Sequence, residues 1–309
     1  QPCELAVQEH HSLAVAEQSV QRLRDRTAVD PTAHPHLAAA LSELSRQQRI
    51  AGRPVDASAS AAEAAEIHRV LAAHDPSWLP ELAAALGNLA ERLGTLGRHA
   101  EALPLTEAAL DIQRTLAARD PAHLLGLAGL LNNLGIRLNR VGRPAEALPP
   151  TEEAVRLRRR LTAHDPVHRS DLAKSLSNLA VRHGALGRSA EALAAIQEAV
   201  EIQRACLADA PGCLPDLADA LTNLGNCLAD VGSRADASAV TDEAVRYYRV
   251  LAADDPGHLP GLALSLDNLG NLIDRPADAV HVAEEAVTVL SALTDDQPGL
   301  LPDLARALG

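Results

Sequence analysis

Leu82, Leu86, Leu89 and Leu93 fall at i, i+4, i+7 and i+11, the spacing of one face of an α-helix. After a Gly-Arg turn at 97–98, Ala102, Leu103, Ala109, Leu110 and Leu116 carry a second apolar stripe. The block predicts two antiparallel helices, and it is copied along the chain. Prolines at 31, 76, 121, 166, 211 and 256 stand 45 residues apart, and around them recur D-P, L-A-x-x-L-x-N-L-[GA], a Gly-Arg turn, A-E-A-L and E-A-[VL]-x-[IL]-x-R. A fixed period of this length marks a stacked array, because one short hairpin cannot bury its apolar face alone.

The copies read as repeats 31–75, 76–120, 121–165, 166–210, 211–255 and 256–297, with a half repeat at 1–30 and a partial one at 298–309. Asn-Leu-[GA] at 88–90, 133–135, 178–180, 223–225 and 268–270 forms one column; Ala64, Ala109, Ala154, Ala199, Ala244 and Ala286 form another. The copy at 31 diverges, with Glu43 in the Asn column, and in the last copy residues 271–276 replace the Gly-Arg turn with a three-residue deletion. The expected fold class is all-α, a right-handed α-α superhelix of about six hairpins. Gly52, Gly97, Gly142, Gly187 and Gly232 are placed to end the first helices with positive φ. Pro80, Pro215 and Pro260 suit a first helical turn, where the missing N–H has no intrahelical partner anyway. Pro104 and the Pro149-Pro150 pair lie inside the second helices at a cost of about 3 kcal/mol, so those helices are expected to start late or bend.

Composition narrows the class. The 309 residues contain no Met and no Phe, and one Lys stands against 27 Arg; the expectation is a protein of a high-GC bacterium and an excerpt or processed form of a longer chain. The formal charge of -13 supplies no basic stripe for phosphates, which argues against nucleic acid as the main partner. No run of eighteen apolar residues occurs, so no membrane partner is expected, and the expected location is cytoplasmic.

The Leu-Gly pair, the Ala beyond it and the later Ala of E-A-[VL] resemble the tetratricopeptide repeat, whose small residues let two helices pack closely. The usual period is about 34 residues. The longer one here resembles the extended, kinesin-light-chain type found in signalling proteins of high-GC bacteria, often beside an NTPase or a caspase-like peptidase domain. Leu replaces the motif's aromatic residues. The resemblance implies a protein-protein interaction scaffold that takes a peptide or partner protein on a concave surface lined by the first helices. The alternative is a module that self-assembles through its ends.

Nine Asn, at 88, 132, 133, 139, 178, 223, 226, 268 and 271, all fall on expected first helices. Asn is a mediocre helix former, so its recurrence at one interior position implies use there. Its amide can bond a peptide backbone as donor and acceptor. In related repeats the Asn before Leu-Gly contacts peptides, which implies Asn88, Asn133, Asn178, Asn223 and Asn268, with Asn132, Asn226 and Asn271 beside them. The other reading is an Asn ladder that stiffens the stack. Arg140 and Lys174 should face inward in the middle, and Asp219, Asp230, Asp267 and Asp274 toward the C-terminal end, where a ligand would present basic residues. Chaperone-binding relatives clamp a terminal carboxylate with several Lys and Arg; only Lys174 resembles a piece of that set. A second column, Arg24, Arg69, Arg114, Arg159, Arg204 and Arg249, is expected to pair with turn carboxylates such as Asp75, Asp120 and Asp165.

Catalytic signatures are lacking. Lys174-Ser175 has no Gly-rich approach, and neither H-E-x-x-H nor G-x-S-x-G occurs. His164 and His168 straddle Asp165-Pro166, but His74, His123 and His258 occupy linker positions in other copies without such a partner, which favours no metal. Cys3, Cys206, Cys213 and Cys227 lack zinc spacing and are expected as free thiols, although Cys206 and Cys213 flank one linker and are placed to pair under oxidation. Neither enzyme activity nor a cofactor is expected.

Overall fold

The computed structural model describes residues 2–209, 211–273 and 276–296, and none of these is in a strand. They form thirteen α-helices: α1 Pro2–Thr27, α2 His34–Ile50, α3 Pro54–His74, α4 Leu79–Thr95, α5 His99–Ala117, α6 Leu124–Arg140, α7 Pro144–His164, α8 Arg169–Ala185, α9 Ser189–Asp209, α10 Leu214–Asp230, α11 Arg234–Asp254, α12 Leu259–Leu272 and α13 Pro276–Asp296. The partial repeat at 298–309 lies outside the described residues. Packing divides the chain into two compact units, 1–150 and 151–309.

Each copy is built by the same local chemistry. Asp30, Asp75, Asp120, Asp165 and Asp255 accept the backbone N–H two residues on, at 2.8–3.0 Å, which caps a short 3-10 turn leading into the first helix. Turn carboxylates are thus used by their own turns. The Arg column instead reaches across to glutamates of neighbouring second helices: Arg24–Glu63, Arg159–Glu198, Arg204–Glu243 and Arg249–Glu285, at 2.5–2.7 Å. Arg69 pairs with Glu66 on its own helix. The expected pairing with Asp75 or Asp165 is therefore corrected, because helix-to-helix stacking brings the glutamates within reach and the aspartates are already engaged.

Every complete first helix through α10 closes on a glycine at φ +67° to +83°. Arg53 N–H reaches Gln48 C=O and Gly52 N–H reaches Arg49 C=O, at 2.8 and 3.1 Å, the Schellman arrangement that only a residue tolerant of positive φ completes without strain. α5 and α7 begin on schedule despite Pro104, Pro149 and Pro150, so the expected late start is not observed. Pro104 is exposed, as is Ala100, whose C=O loses its partner, so solvent can satisfy that group, while Ala102 and Ala109 hold the helix against the core with 0% exposure.

In unit 1, α2 packs on α3 and α4 on α5; in unit 2, α8 packs on α9, α10 on α11 and α12 on α13. Leu37, Leu82, Leu127, Leu172, Leu217 and Leu262 form one buried column, each side chain contributing roughly 1.5–3 kcal/mol by leaving water. Where α10 meets α11, Gly225 faces Thr241. A Cβ on Gly225 would stand 2.2 Å from Thr241 Oγ1, so this closest approach requires Gly.

Candidate functional site

The Asn residues all sit on first helices: Asn88 on α4, Asn132, Asn133 and Asn139 on α6, Asn178 on α8, Asn223 and Asn226 on α10, Asn268 and Asn271 on α12. In the column before Leu-[GA], Asn88 is exposed and Asn133, Asn178, Asn223 and Asn268 are half-buried. Asn132 is buried, because its place one residue earlier turns it into the helix packing. Asn268 Nδ2 is sealed from solvent without a hydrogen-bond partner, so at that position the column does not close into a ladder.

Asn88 and Asn133 line one hollow of about 320 Å³ between α4 and α6. Its lining includes the small residues Ala83, Ala84, Gly87, Gly126 and Gly129 together with Pro80, Glu91, Gln113, His123 and Leu130. A Cβ added to Gly129 would meet nothing within 4 Å, so the hollow is open there. Two amides on one hollow can exchange hydrogen bonds with an extended backbone as donors and acceptors.

The acidic residues lie in unit 2. Asp219 keeps an open side toward solvent, yet the surrounding protein desolvates its carboxylate and raises its pKa; the Tyr248 hydroxyl, which donates to it, and nearby Lys174 and His258 pull the other way, while Asp216 adds to the rise. Asp267 is also raised by desolvation, and Asn271 Nδ2 lies 3.5 Å from it. Asp230 is exposed and helps push the buried Cys227 thiol up to about 11. Lys174 Nζ is 3.0 Å from Asp216, so much of its charge is already answered. Arg140 is exposed at the end of α6 and, with Arg137, lowers the pKa of His99, whose main cause is burial. Asp274 lies outside the described residues.

Two columns escaped the sequence reading. Arg92, Arg137 and Arg182, four residues after the Asn, are 8%, 5% and 4% exposed. Arg137 Nη1 donates to Asn133 C=O at 3.1 Å, and burial lowers its pKa. The second column, His68, Gln113, Arg158, Gln203 and Tyr248, is polar and buried on the second helices. Its members meet the start of the next first helix in matched ways. Gln113 Nε2 donates to His123 C=O at 3.0 Å beside Gly126, Arg158 Nη1 donates to Asp171 C=O at 2.5 Å and, a turn further on, to Ser175 Oγ at 2.8 Å, and the Tyr248 ring lies over Gly261. Both columns obey the 45-residue spacing, and that spacing was the signal that could have found them.

Cys206, Cys213 and Cys227 carry free thiols, and no group of three or more potential metal ligands occurs among the described residues. Nor is any described helix long and apolar enough to cross a membrane.

These features define an array of stacked helical hairpins. Residues 82–123, 127–166 and 172–208 match the family model of the tetratricopeptide repeat. Those three stretches are therefore tetratricopeptide repeats, and the other copies among the described residues form the same helical hairpin. No curated protein matches the sequence. Among solved structures, BtubC (BKLC) from P. vanneervenii shares the fold with a TM-score of 0.61 at 23% identity, over 79% of this chain and 92% of that one. A putative kinesin light chain of Podosopora anserina with nearly identical TPR-like repeats aligns at 20% identity and a TM-score of 0.48, over 69% and 95% of the two chains. Repeats of this family generally serve as protein-interaction scaffolds.

Proposed function

We propose that the first-helix face binds an extended segment of a partner protein, with Asn88 and Asn133 bonding its backbone and Asn178, Asn223 and Asn268 continuing the same contacts in unit 2. The observation that carries this reading is the hollow between α4 and α6, which Asn88 and Asn133 both line. A structural ladder would draw the amides together out of solvent, whereas Asn88 is exposed. Asp219, Asp230, Asp267 and, beyond the described residues, Asp274 favour a segment with Arg or Lys toward its corresponding end. We place the array in a larger bacterial signalling protein, on the strength of its composition and extended period.

The test is selection of binding peptides from a random displayed library, followed by affinity measurement on the double variant Asn88→Ala, Asn133→Ala. Binding to selected peptides should fall at least tenfold, with melting temperature nearly unchanged. Failure to select any peptide, or equal affinity in the variant, overturns the reading. Concentration-dependent oligomers in sedimentation, together with no peptide binding, would establish self-assembly instead.

A further inference from the structure

Asp30, Asp75, Asp120, Asp165 and Asp255 stand before the proline of their linkers, whereas the linker between α9 and α10 has Ala210 in that place. An alanine side chain offers no acceptor to the turn that follows, Pro211–Cys213. The same copy departs at two more positions. Leu71, Leu116, Leu161 and Leu251, near the ends of their second helices, correspond to Cys206, and Trp78, His123, His168 and His258, at the ends of their 3-10 turns, correspond to Cys213. Two thiols thus bracket the linker whose sequence lacks the capping carboxylate.

The fold brings these thiols together. Cys206 lies in the last turn of α9, Cys213 is the N-cap residue of α10, and their side chains are within hydrogen-bonding reach of each other. The hairpin geometry favours that contact: Trp78, the counterpart of Cys213, turns its ring back toward α3, with its centroid 6.1 Å from that of His68. Both cysteines are half-buried, so a small solute can reach them. Cys227 is the contrast, buried in the core of unit 2 with its thiol pushed up to about 11, which withholds it from reaction at neutral pH.

We propose that Cys206 and Cys213 form a reversible redox site, oxidised by a low-molecular-weight disulfide to a bridge that pins the start of α10 to the end of α9. In the first step the Cys213 thiolate attacks one sulfur of the small disulfide, whose S–S bond breaks and releases one small thiolate. In the second, Cys206 gives its proton to solvent, attacks Cys213 Sγ and expels the other small thiolate. Two protein thiols are oxidised to one disulfide and one small disulfide is reduced to two thiols, which take up the two protons that the cysteines released. Cys206 suits the second step: burial, then Cys213, raises its pKa, and an intramolecular attack tolerates a small thiolate fraction. The closed bridge restricts the linker that has no Asp cap to hold it. The inference does not depend on a ligand at the first-helix face.

The reduced full chain is equilibrated with mixtures of reduced and oxidised glutathione and its remaining thiols are blocked. Mass spectrometry then locates the bridge after cleavage before aspartate, which separates Cys206, Cys213 and Cys227 at Asp209 and Asp216. A single intramolecular bridge between Cys206 and Cys213 is expected, absent in Cys206→Ser and in Cys213→Ser and retained in Cys3→Ser and in Cys227→Ala. Hydrogen exchange at the amides of Leu217 and Ala218, early in α10, should slow at least fivefold on oxidation and recover on reduction with dithiothreitol. Mapping of the unsubstituted chain decides the pairing even where a substitution disturbs folding. Absence of a bridge, glutathione adducts in its place, a bridge through Cys3 or Cys227, or a bridge that leaves exchange unchanged overturns the proposal.

Discussion

Units 1–150 and 151–309 use one hairpin and opposite inner charge. The first helices of unit 1 carry Arg46, Arg49, Arg92, Arg137 and Arg140 against Glu43, Glu81 and Glu91; those of unit 2 carry Asp171, Asp216, Asp219, Asp230 and Asp267 against Arg169, Lys174 and Arg182. The apolar columns do not follow this change. Leu37, Leu82 and Leu127 in one unit and Leu172, Leu217 and Leu262 in the other are buried alike. Two sets of positions are therefore under separate control: the Leu, Ala and Gly columns specify the hairpin, and the open face of the first helix is left to vary with whatever it meets. In an array whose stability adds over units and their interfaces, this separation lets charge change copy by copy without disturbing the fold.

The largest effect tests whether the framework is equivalent in the two units. Leu131 and Leu221 occupy the same place in their copies and are both fully buried. Leu131→Ala and Leu221→Ala should each cost about 2–5 kcal/mol, from lost transfer energy plus the cavity left behind. Urea unfolding read by hydrogen exchange within each unit checks this. A cost in one unit well below that range would break the equivalence.

A smaller effect sharpens the comparison where the copies differ. Gly126 and Gly261 are also equivalent positions, three residues into α6 and α12. A Cβ on Gly126 would come 2.5 Å from Gln113 Nε2, the far end of a flexible side chain. On Gly261 it would come 2.3 Å from a ring carbon of Tyr248, which is only 4% exposed. Gly261→Ala should therefore destabilise by about 1–3 kcal/mol through overpacking. Gly126→Ala should stay within about 1 kcal/mol, since the gain in helix propensity offsets a small shift of Gln113. Equal melting temperatures for the two variants would show that Tyr248 has room to move and that the match of Tyr to Gly is incidental.

This contrast also marks how much the sequence disclosed. The 45-residue period, the helix pairs, the glycine C-caps and the first-turn prolines were legible, because each depends on contacts within one hairpin, whereas the effect of Pro104, Pro149 and Pro150 was not. Asn88 and Asn133 were legible as well, since a helix-interior Asn repeated at one register calls for a reason. The buried Arg92 was not: Arg is ordinarily exposed, and only the stacking of α4 against α2 and α3 shows that its Nη1 is sealed. Nor were the partners of the Arg column legible. Arg159 and Glu198 are 39 residues apart, and their meeting depends on how one second helix lies beside the next.

The smallest effect concerns pH and separates the units by sign. In unit 1, Glu43, Glu66, Glu101 and Glu146 sit below the usual carboxylate range, foremost because Arg46, Arg69, Arg98 and Arg143 donate to them. Their contribution is present at neutral pH and is lost as pH falls through the carboxylate range. Asp219 and Asp267 in unit 2 are raised instead, so their contribution is present below the ordinary Asp pKa and is lost as pH rises through the folded value. Glu285, lowered by Arg249, belongs with the first set and reduces the contrast within α13. Most of these groups are solvent-screened, so each effect is small and the informative quantity is its direction. Acidification from neutrality toward pH 4 should lower exchange protection in α2 and α3 more than in α10 and α12. Asp219→Asn, which keeps an acceptor for the Tyr248 hydroxyl but cannot ionise, should reduce the pH dependence of α10 and leave that of α2 unchanged. Protection that falls equally in both units would mean that Asp219 and Asp267 are hydrated like any surface carboxylate, and the distinction between the two inner faces would then rest on charge alone.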